Sequence, residues 1–168
     1  DELGLAYFRK GEAKKSIDFF QTAVKLTSDF DQAYFHLGVA YKEVGMIDES
    51  LKSLKRSIAI NRDLGGSHKI LGDIFEQQGD LDSAIASFKE SKRINPKSAE
   101  AQIDLGRTLL KNKETELSII QFKEALLSNP KQATALYYMG LALLEKQDSL
   151  KALRYFKESL SIDPSSVE

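Results

Sequence analysis

Cysteine is absent from the sequence, which excludes disulfides, thiolate metal sites and a cysteine nucleophile. An excess of charge of one sign is absent too, since 24 basic side chains face 25 acidic ones and the formal net charge is −1. That balance gives no electrostatic reason to expect a nucleic acid or an anionic membrane as partner. Long apolar runs are also missing, because the longest charge-free stretch, Gln132 to Leu144, is shorter than the roughly 20 residues that span a bilayer. We therefore expect no nucleic-acid partner and no insertion into a membrane.

A targeting segment is not visible either. The chain opens with Asp1-Glu2 and lacks the basic start and apolar core of a secretory signal. The abrupt start suggests a fragment of a longer protein, from which such a segment could have been removed. We expect a soluble protein of the cytoplasm or the periplasm.

Glycine and proline are few, and nearly all of them follow one period. Eight of the ten glycines and all three prolines recur at intervals of 34 residues. The first glycine series is Gly4, Gly38, Gly72, Gly106 and Gly140, the second is Gly11, Gly45 and Gly79, and the prolines are Pro96, Pro130 and Pro164. Coincidence does not produce three series with one spacing, so we expect a chain built from repeats.

Apolar residues follow the same period. A leucine or methionine precedes each glycine of the first series, a bulky apolar residue comes three positions after it, and a mostly aromatic series lies in the second half of each repeat. These are Leu3, Leu37, Leu71, Leu105 and Met139, then Tyr7, Tyr41, Phe75, Leu109 and Leu143, then Phe20, Leu54, Phe88, Phe122 and Phe156. Within a repeat the apolar positions have helical spacing, which predicts two helices.

A tight turn is predicted between the two helices. Gly45 lies where the first helix of the second repeat must stop, and glycine takes the left-handed conformation that closes a helix end without strain. Asp48 then suits the start of the next helix, as a cap and by its charge against the helix dipole. Glycine of the first series has another role, since a residue without a side chain lets two helices approach closely. Each repeat is therefore predicted to be a helical hairpin.

These features resemble the tetratricopeptide repeat, whose pattern includes the 34-residue period, the Leu-Gly pair, the later aromatic residue and a terminal Asn-Pro. The resemblance implies an all-α fold, a right-handed superhelical solenoid of antiparallel helix pairs. It covers 1–168 as a single solenoid domain, with repeats at 1–30, which lacks the start of its first helix, and at 31–64, 65–98, 99–132 and 133–166. Lys113 and Gln147 stand where the turn glycine belongs, which we expect to cost about 1 kcal/mol each.

The resemblance also implies a groove lined by the first helix of each hairpin, and hence a scaffold for protein–protein interaction. Carried over by position, the groove residues are apolar at both ends with a charged belt in the middle. They are Leu5, Phe8, Phe35, Val39, Lys42, Lys69, Asp73, Ile103, Arg107, Leu110, Tyr137, Leu141 and Leu144, with Arg9 and Glu76 beside them. Apolar side chains that face an open groove mark an interaction site. The expected partner is another protein that supplies a peptide or helix with apolar anchors.

Two alternatives stay open. Lys69, Asp73 and Arg107 would set the register of a bound peptide, or Lys69 and Asp73, four apart on one helix, simply pair with each other. A structural role is the alternative function, because Leu153, Phe156 and Leu160 lie near the boundary of the last hairpin. A homo-oligomer would then form through the ends of the array, or this face would dock on other parts of the same chain.

No catalytic residue, metal site or cofactor is expected, so we predict that the chain is not an enzyme. His36 and His68 occupy different repeat positions and have no metal-ligand spacing. His68 stands where the family has a core aromatic residue, which favours a packed histidine. Acidic residues near the turns, such as Asp80, are explained by helix capping. The segment Gly65-Gly66-Ser67 lacks the frame of a phosphate-binding loop.

Overall fold

Ten α-helices follow one another in the computed structural model, which describes residues 2–164. They are α1 Glu2–Arg9, α2 Ala13–Leu26, α3 Asp31–Glu43, α4 Ile47–Ile60, α5 Gly65–Gln78, α6 Leu81–Ile94, α7 Ala99–Lys111, α8 Thr115–Ser128, α9 Ala133–Glu145 and α10 Ser149–Ile162. We call the odd-numbered helices A-type and the even-numbered ones B-type. Residues 2–164 contain no strand, and the prediction of an all-α fold of helix pairs is confirmed.

The chain divides into two compact units, Asp1–Gln78 and Gly79–Glu168. In the first unit α1 packs against α2 and α3 against α4, and contacts of α2 with α3 and of α4 with α5 join successive pairs. In the second unit α7 packs against α8 and α9 against α10, and contacts of α6 with α7 and of α8 with α9 join them. The union of five repeats in one domain stays a prediction. Within residues 2–164 no helix is long and apolar enough to cross a bilayer.

The core of each unit lies at the joints between a B-type helix and the A-type helix that follows it. In the first unit, Ile17 and Phe20 of α2 pack with Leu37 of α3. In the second unit, Phe122 of α8 packs with Met139 of α9. Burial of a side chain of this size stabilises the folded state by roughly 1.5–3 kcal/mol. Successive hairpins are therefore held together by the apolar series that the sequence repeats.

Close approach within a hairpin depends on the first glycine series. A Cβ atom on Gly38 would lie 2.7 Å from Cγ of Leu54, and one on Gly106 would lie 2.6 Å from Cε1 of Phe122. Leu54 and Phe122 are fully buried, so neither has free space to move into. The predicted reason for these glycines is confirmed, because any larger residue would overlap the B-type helix of the same hairpin.

Small residues of the B-type helices are buried against the backbone of A-type helices. The Ser50 hydroxyl donates to the carbonyl oxygen of Gly38 at 2.7 Å, and the Ser57 hydroxyl donates to that of Asp31 at 2.9 Å. Both serines are fully buried. Their hydroxyl groups are therefore satisfied without water, and they tie α4 to two turns of α3.

The turn between α3 and α4 shows why glycine recurs there. Gly45 has a φ angle of 79°, in the left-handed region. Its N–H and that of Met46 donate to carbonyls of the last turn of α3 at 3.0 and 2.9 Å, which closes a Schellman motif. The same pair of hydrogen bonds follows α7 and α9, where the left-handed residues are Lys113 (φ 65°) and Gln147 (φ 62°). The turn geometry is thus kept where the glycine is missing.

Asp48 does not cap α4, which corrects the sequence expectation. The N-cap residue is Met46, with no side-chain cap hydrogen bond, and Asp48 lies in the first turn of the helix. Its contribution is therefore the favourable charge near the helix N-terminus. Side-chain caps occur at Asp80, Ser98 and Asp148 instead, each accepting from a backbone N–H three residues later.

Replacement of Gln147 by glycine is expected to stabilise the protein by about 1 kcal/mol, because an L side chain at positive φ is strained. The free energy of unfolding in urea would measure the gain. Gly45→Gln is the matched control, since no atom lies within 4 Å of a Cβ placed on Gly45 and the change is purely one of backbone preference. The free energy of unfolding of Gly45→Gln should fall by a similar amount. If both variants were as stable as the native chain, the explanation would be wrong.

Candidate functional site

The apolar groove candidates of the first unit take part in packing. Leu5 and Phe8 of α1 pack against the core cluster of α2 and α3. Phe35 lies over the first turn of α5, where a Cβ on Gly66 would be 3.1 Å from its Cζ, and it also packs against the α4–α5 cluster. Val39 is half-buried. These side chains therefore offer partial surfaces, and much of each is already covered by neighbouring helices.

The charged belt of the first unit is an ion-pair network. Nζ of Lys69 lies 3.4 Å from Oδ2 of Asp73, and Nζ of Lys42 lies 3.8 Å from the same oxygen. The alternative that Lys69 and Asp73 pair with each other is thus what the structure contains, with Lys42 as a third member. The network joins α3 to α5. All three side chains are partly buried, so solvent screens the network less than it would a fully exposed pair.

Two groove candidates of the second unit lie in its core, which corrects the expected exposure. Ile103 is 6% exposed and packs with Ala125 and Ala135, while Leu110 is 8% exposed and packs with Phe122. Contacts of α7 with both α8 and α9 cover these positions. They can form the base of a surface depression, but they cannot serve as protruding anchors.

A depression of about 440 Å³ lies between α7 and α9, and we call it the inner hollow. Four groove candidates, Arg107, Leu110, Leu141 and Leu144, meet there with Tyr138. Leu144 is 45% exposed, Leu141 is half-buried, and the hollow is mostly apolar. Lys111, Lys113 and Glu145 complete its rim. The A-type helices of the second unit thus present an apolar surface with charges at its edge.

Aromatic rings extend this surface. The ring of Tyr137 lies 5.4 Å from that of Tyr138 and 5.7 Å from that of Phe156 on α10. Tyr138 in turn stacks on Phe122, with ring centroids 5.9 Å apart. Tyr137 is therefore held beside the inner hollow, although it does not line it.

Ion pairs hold the rim of the inner hollow. Nη2 of Arg107 lies 3.7 Å from Oδ1 of Asp104, and Nζ of Lys113 lies 3.2 Å from Oε1 of Glu145. Glu145 also accepts a hydrogen bond from the Thr115 hydroxyl at 2.7 Å. The hydrogen bonds from Thr115 and Lys113 lower the pKa of Glu145, so it stays ionised at neutral pH. A bound segment would therefore meet charges of both signs around an apolar floor.

A second depression, of about 590 Å³, lies between α3 and α4, and we call it the outer hollow. Its apolar floor is formed by Tyr34, Leu37 and Tyr41 of α3, and Ser53 of α4 lies beside them. Sequence reasoning missed this site. Its signal is a serine at a position where the first and last hairpins have the aromatic residues Phe19 and Tyr155.

The last B-type helix exposes part of its apolar face. Leu153 is 51% exposed and Leu160 is 41% exposed, while Phe156 is half-buried beside Gly140 and Tyr137. The corresponding side chains one repeat earlier, Ile119, Phe122 and Leu126, pack against clusters that include α9. The residues proposed for self-association thus lie together on α10.

The histidines have the surroundings of packed side chains. His36 lies between Phe20 and Phe35, with ring centroids 5.5 and 5.4 Å away, and burial lowers the pKa of its imidazole. The neutral form is therefore favoured at physiological pH. His68 is half-buried on α5. Within residues 2–164 no three histidine or acidic side chains are grouped so that they could hold a metal ion.

Comparison with known proteins finds one sequence family along most of the chain. Its profiles, described as TPR repeat or tetratricopeptide repeat, match residues 4–45, 31–64, 76–144 and 133–166. No curated protein matches the sequence.

Solved structures share the fold at low sequence identity. A crystal structure of MamA superposes with a TM-score of 0.87 at 22% identity, over 96% of this chain and 94% of that one. YrrB, described as a TPR protein with an unusual peptide-binding site, gives 0.82 at 20% identity, over 98% and 84%. PilF of Pseudomonas aeruginosa gives 0.85 at 17% identity, over 95% and 73%.

Proposed function

Because this chain belongs to the tetratricopeptide repeat family, we propose that it binds a segment of another protein, a peptide or helix with apolar anchors. Proteins of this family generally act as non-catalytic scaffolds. A peptide-binding site is also named for YrrB, which has the same fold. The proposal concerns where such a segment binds this chain and which side chains hold it.

The inner hollow is the observation that carries the proposal. It brings Leu141 and Leu144 of α9 together with Arg107 of α7 around one depression of about 440 Å³, within the usual size of ligand pockets. An apolar side chain of the partner would be buried on this floor, and its flanking polar groups would meet the charged rim. Each apolar side chain that the partner buries contributes roughly 1.5–3 kcal/mol to the free energy of binding, from which the cost of ordering the partner is subtracted.

Leu144→Glu tests the site. The carboxylate would have to be desolvated against an apolar anchor, so we expect affinity for the partner to fall about tenfold or more. The native chain and the variant are used as baits in parallel captures from a lysate, and the dissociation constant of the recovered partner is measured by titration. Leu144 is 45% exposed, so the variant should stay folded, which circular dichroism checks.

Leu127→Glu is the matched control, because Leu127 is 84% exposed on α8 and does not line the inner hollow. A partner that binds the native chain and Leu127→Glu equally, and is lost from Leu144→Glu, would support the inner hollow. Equal binding to all three would contradict it.

A second candidate function is self-association, favoured by the exposure of Leu153 and Leu160 on α10. Light scattering over a concentration series measures it on the same samples. A mass that rises with concentration, and no longer rises for Leu153→Glu, would support assembly through this face. A constant monomer mass would reject it.

A further inference from the structure

The outer hollow of the first unit lies where the first and last hairpins have an aromatic side chain, while the third and fourth have Ser87 and Gln121. Position 53 corresponds to Phe19 one repeat earlier, and Tyr41 corresponds to Tyr7. The rings of Phe19 and Tyr7 stack, with centroids 5.1 Å apart and planes 8° from parallel. In the second hairpin Ser53 replaces the phenylalanine, and a depression of about 590 Å³ lies over the α3 floor. The first hairpin therefore shows what kind of group fits this place.

The last hairpin gives the same indication. Tyr155 occupies the corresponding position on α10 and packs against the cluster that contains Met139. Leu136, which corresponds to Tyr34, is only 2% exposed there, whereas Tyr34 is half-buried. Two of the five hairpins thus place an aromatic ring of their own B-type helix at this position.

Two polar side chains of the outer hollow, Ser53 and Tyr41, already have hydrogen-bond partners within the protein. The Ser53 hydroxyl donates to the carbonyl oxygen of Glu49 at 2.8 Å, within its own helix. The Tyr41 hydroxyl accepts a hydrogen bond from Nε2 of Gln21 at 2.8 Å, which holds its ring in place. Leu37 supplies the rest of the floor. An apolar or aromatic group that binds here would leave these two hydrogen bonds intact.

The rim of the outer hollow is basic. Lys52, Lys55 and Arg56 face a single acid, Glu49. Neither Lys52 nor Lys55 has an ion-pair partner within residues 2–164, and the Arg56 guanidinium lies 5.9 Å from the ring centroid of Tyr34. A partner with carboxylates beside its ring would meet complementary charge.

From the aromatic equivalents and the basic rim, we propose that the outer hollow binds an acidic peptide through one aromatic side chain. The ring takes the place that Phe19 and Tyr155 occupy in their own hairpins, and the flanking carboxylates bind Lys52, Lys55 and Arg56. This site lies in the first unit and is separate from the inner hollow of the second. Its occupation does not depend on the function proposed above.

An NMR titration of the ¹⁵N-labelled chain with the blocked peptide Glu-Glu-Phe-Glu-Glu tests the proposal. We expect saturable shifts of backbone amides in the two segments that line the outer hollow, 34–41 and 49–56. Glu-Glu-Ala-Glu-Glu, which lacks the ring, and Lys-Lys-Phe-Lys-Lys, which lacks the acids, should each bind about tenfold more weakly or worse. Absence of saturable shifts with the first peptide, or equal binding of all three, would overturn the proposal.

Ser53→Phe supplies a variant that fills the hollow with the chain's own ring, as Phe19 does in the first hairpin. It should abolish peptide binding while the protein stays folded, whereas Ser53→Ala leaves the hollow open and should keep it. Lys52→Glu should weaken binding, and Arg154→Glu, the same reversal at the corresponding place of α10, should not. Peptide binding unaffected by Ser53→Phe would place the peptide elsewhere and refute the assignment.

Discussion

Phe122→Ala is expected to destabilise the protein by about 3–5 kcal/mol, because it removes a fully buried aromatic ring. Phe122 is fully buried and packs with Leu110 and Met139 at the joint of α8 and α9. Removal of the ring would leave a cavity that several helices border, and their contacts with one another limit how far they can close it. Urea unfolding followed by circular dichroism measures the loss.

Leu127→Ala on the same helix is the control, because Leu127 is 84% exposed and surface changes are usually within about 0.5 kcal/mol. A loss for Phe122→Ala no larger than that of this control would mean that the α8–α9 joint is not the core of the second unit.

Gly106→Ala should cost about 1–3 kcal/mol through overpacking, partly offset by the better helix propensity of alanine. The new Cβ would lie 2.6 Å from Cε1 of Phe122. Gly140→Ala makes a similar overlap, 2.5 Å from Cε1 of Phe156, but Phe156 is only half-buried and can turn aside. It should therefore cost less, and the difference between the two alanine variants is measured by the same unfolding experiment.

A double-mutant cycle identifies the cause. In the Phe122→Ala background the overlap disappears, so Gly106→Ala should become neutral or stabilising, with a coupling energy of about 0.5–3 kcal/mol. Additive effects of the two substitutions would show that Gly106 is required for some reason other than the approach of Phe122.

The fold could be predicted from the sequence because its determinants recur. Glycine at 38 and 106 faces Leu54 and Phe122, and one period repeats this contact along the chain. The turn after α3 could be predicted equally well from Gly45. The N-cap of α4 could not be predicted, because it depends on where the preceding turn ends, and Asp48 lies inside the helix.

The candidate site was predicted only in part. Position in the repeat indicates which side of an A-type helix a residue occupies, but not how much of it the next helix covers. Ile103 and Leu110 are buried because α8 and α9 cover them, whereas Leu144 is exposed. The outer hollow could not be predicted from the repeat alone, because its position holds the small residue Ser53, and Ser87 and Gln121 in the next two hairpins also lack the ring of Phe19 and Tyr155.

Contacts that join mainly helices close in sequence have a mechanical consequence. Within each unit the main packing joins sequence neighbours, such as α2 with α3 and α4 with α5, and weaker contacts join α3 to α5 and α7 to α9. A stretching force applied to the ends of a unit would meet these joints one after another. Each 34-residue hairpin that unfolds would extend to a length of about 110 Å. The unfolding of a unit under force would therefore proceed in separate steps, one hairpin at a time.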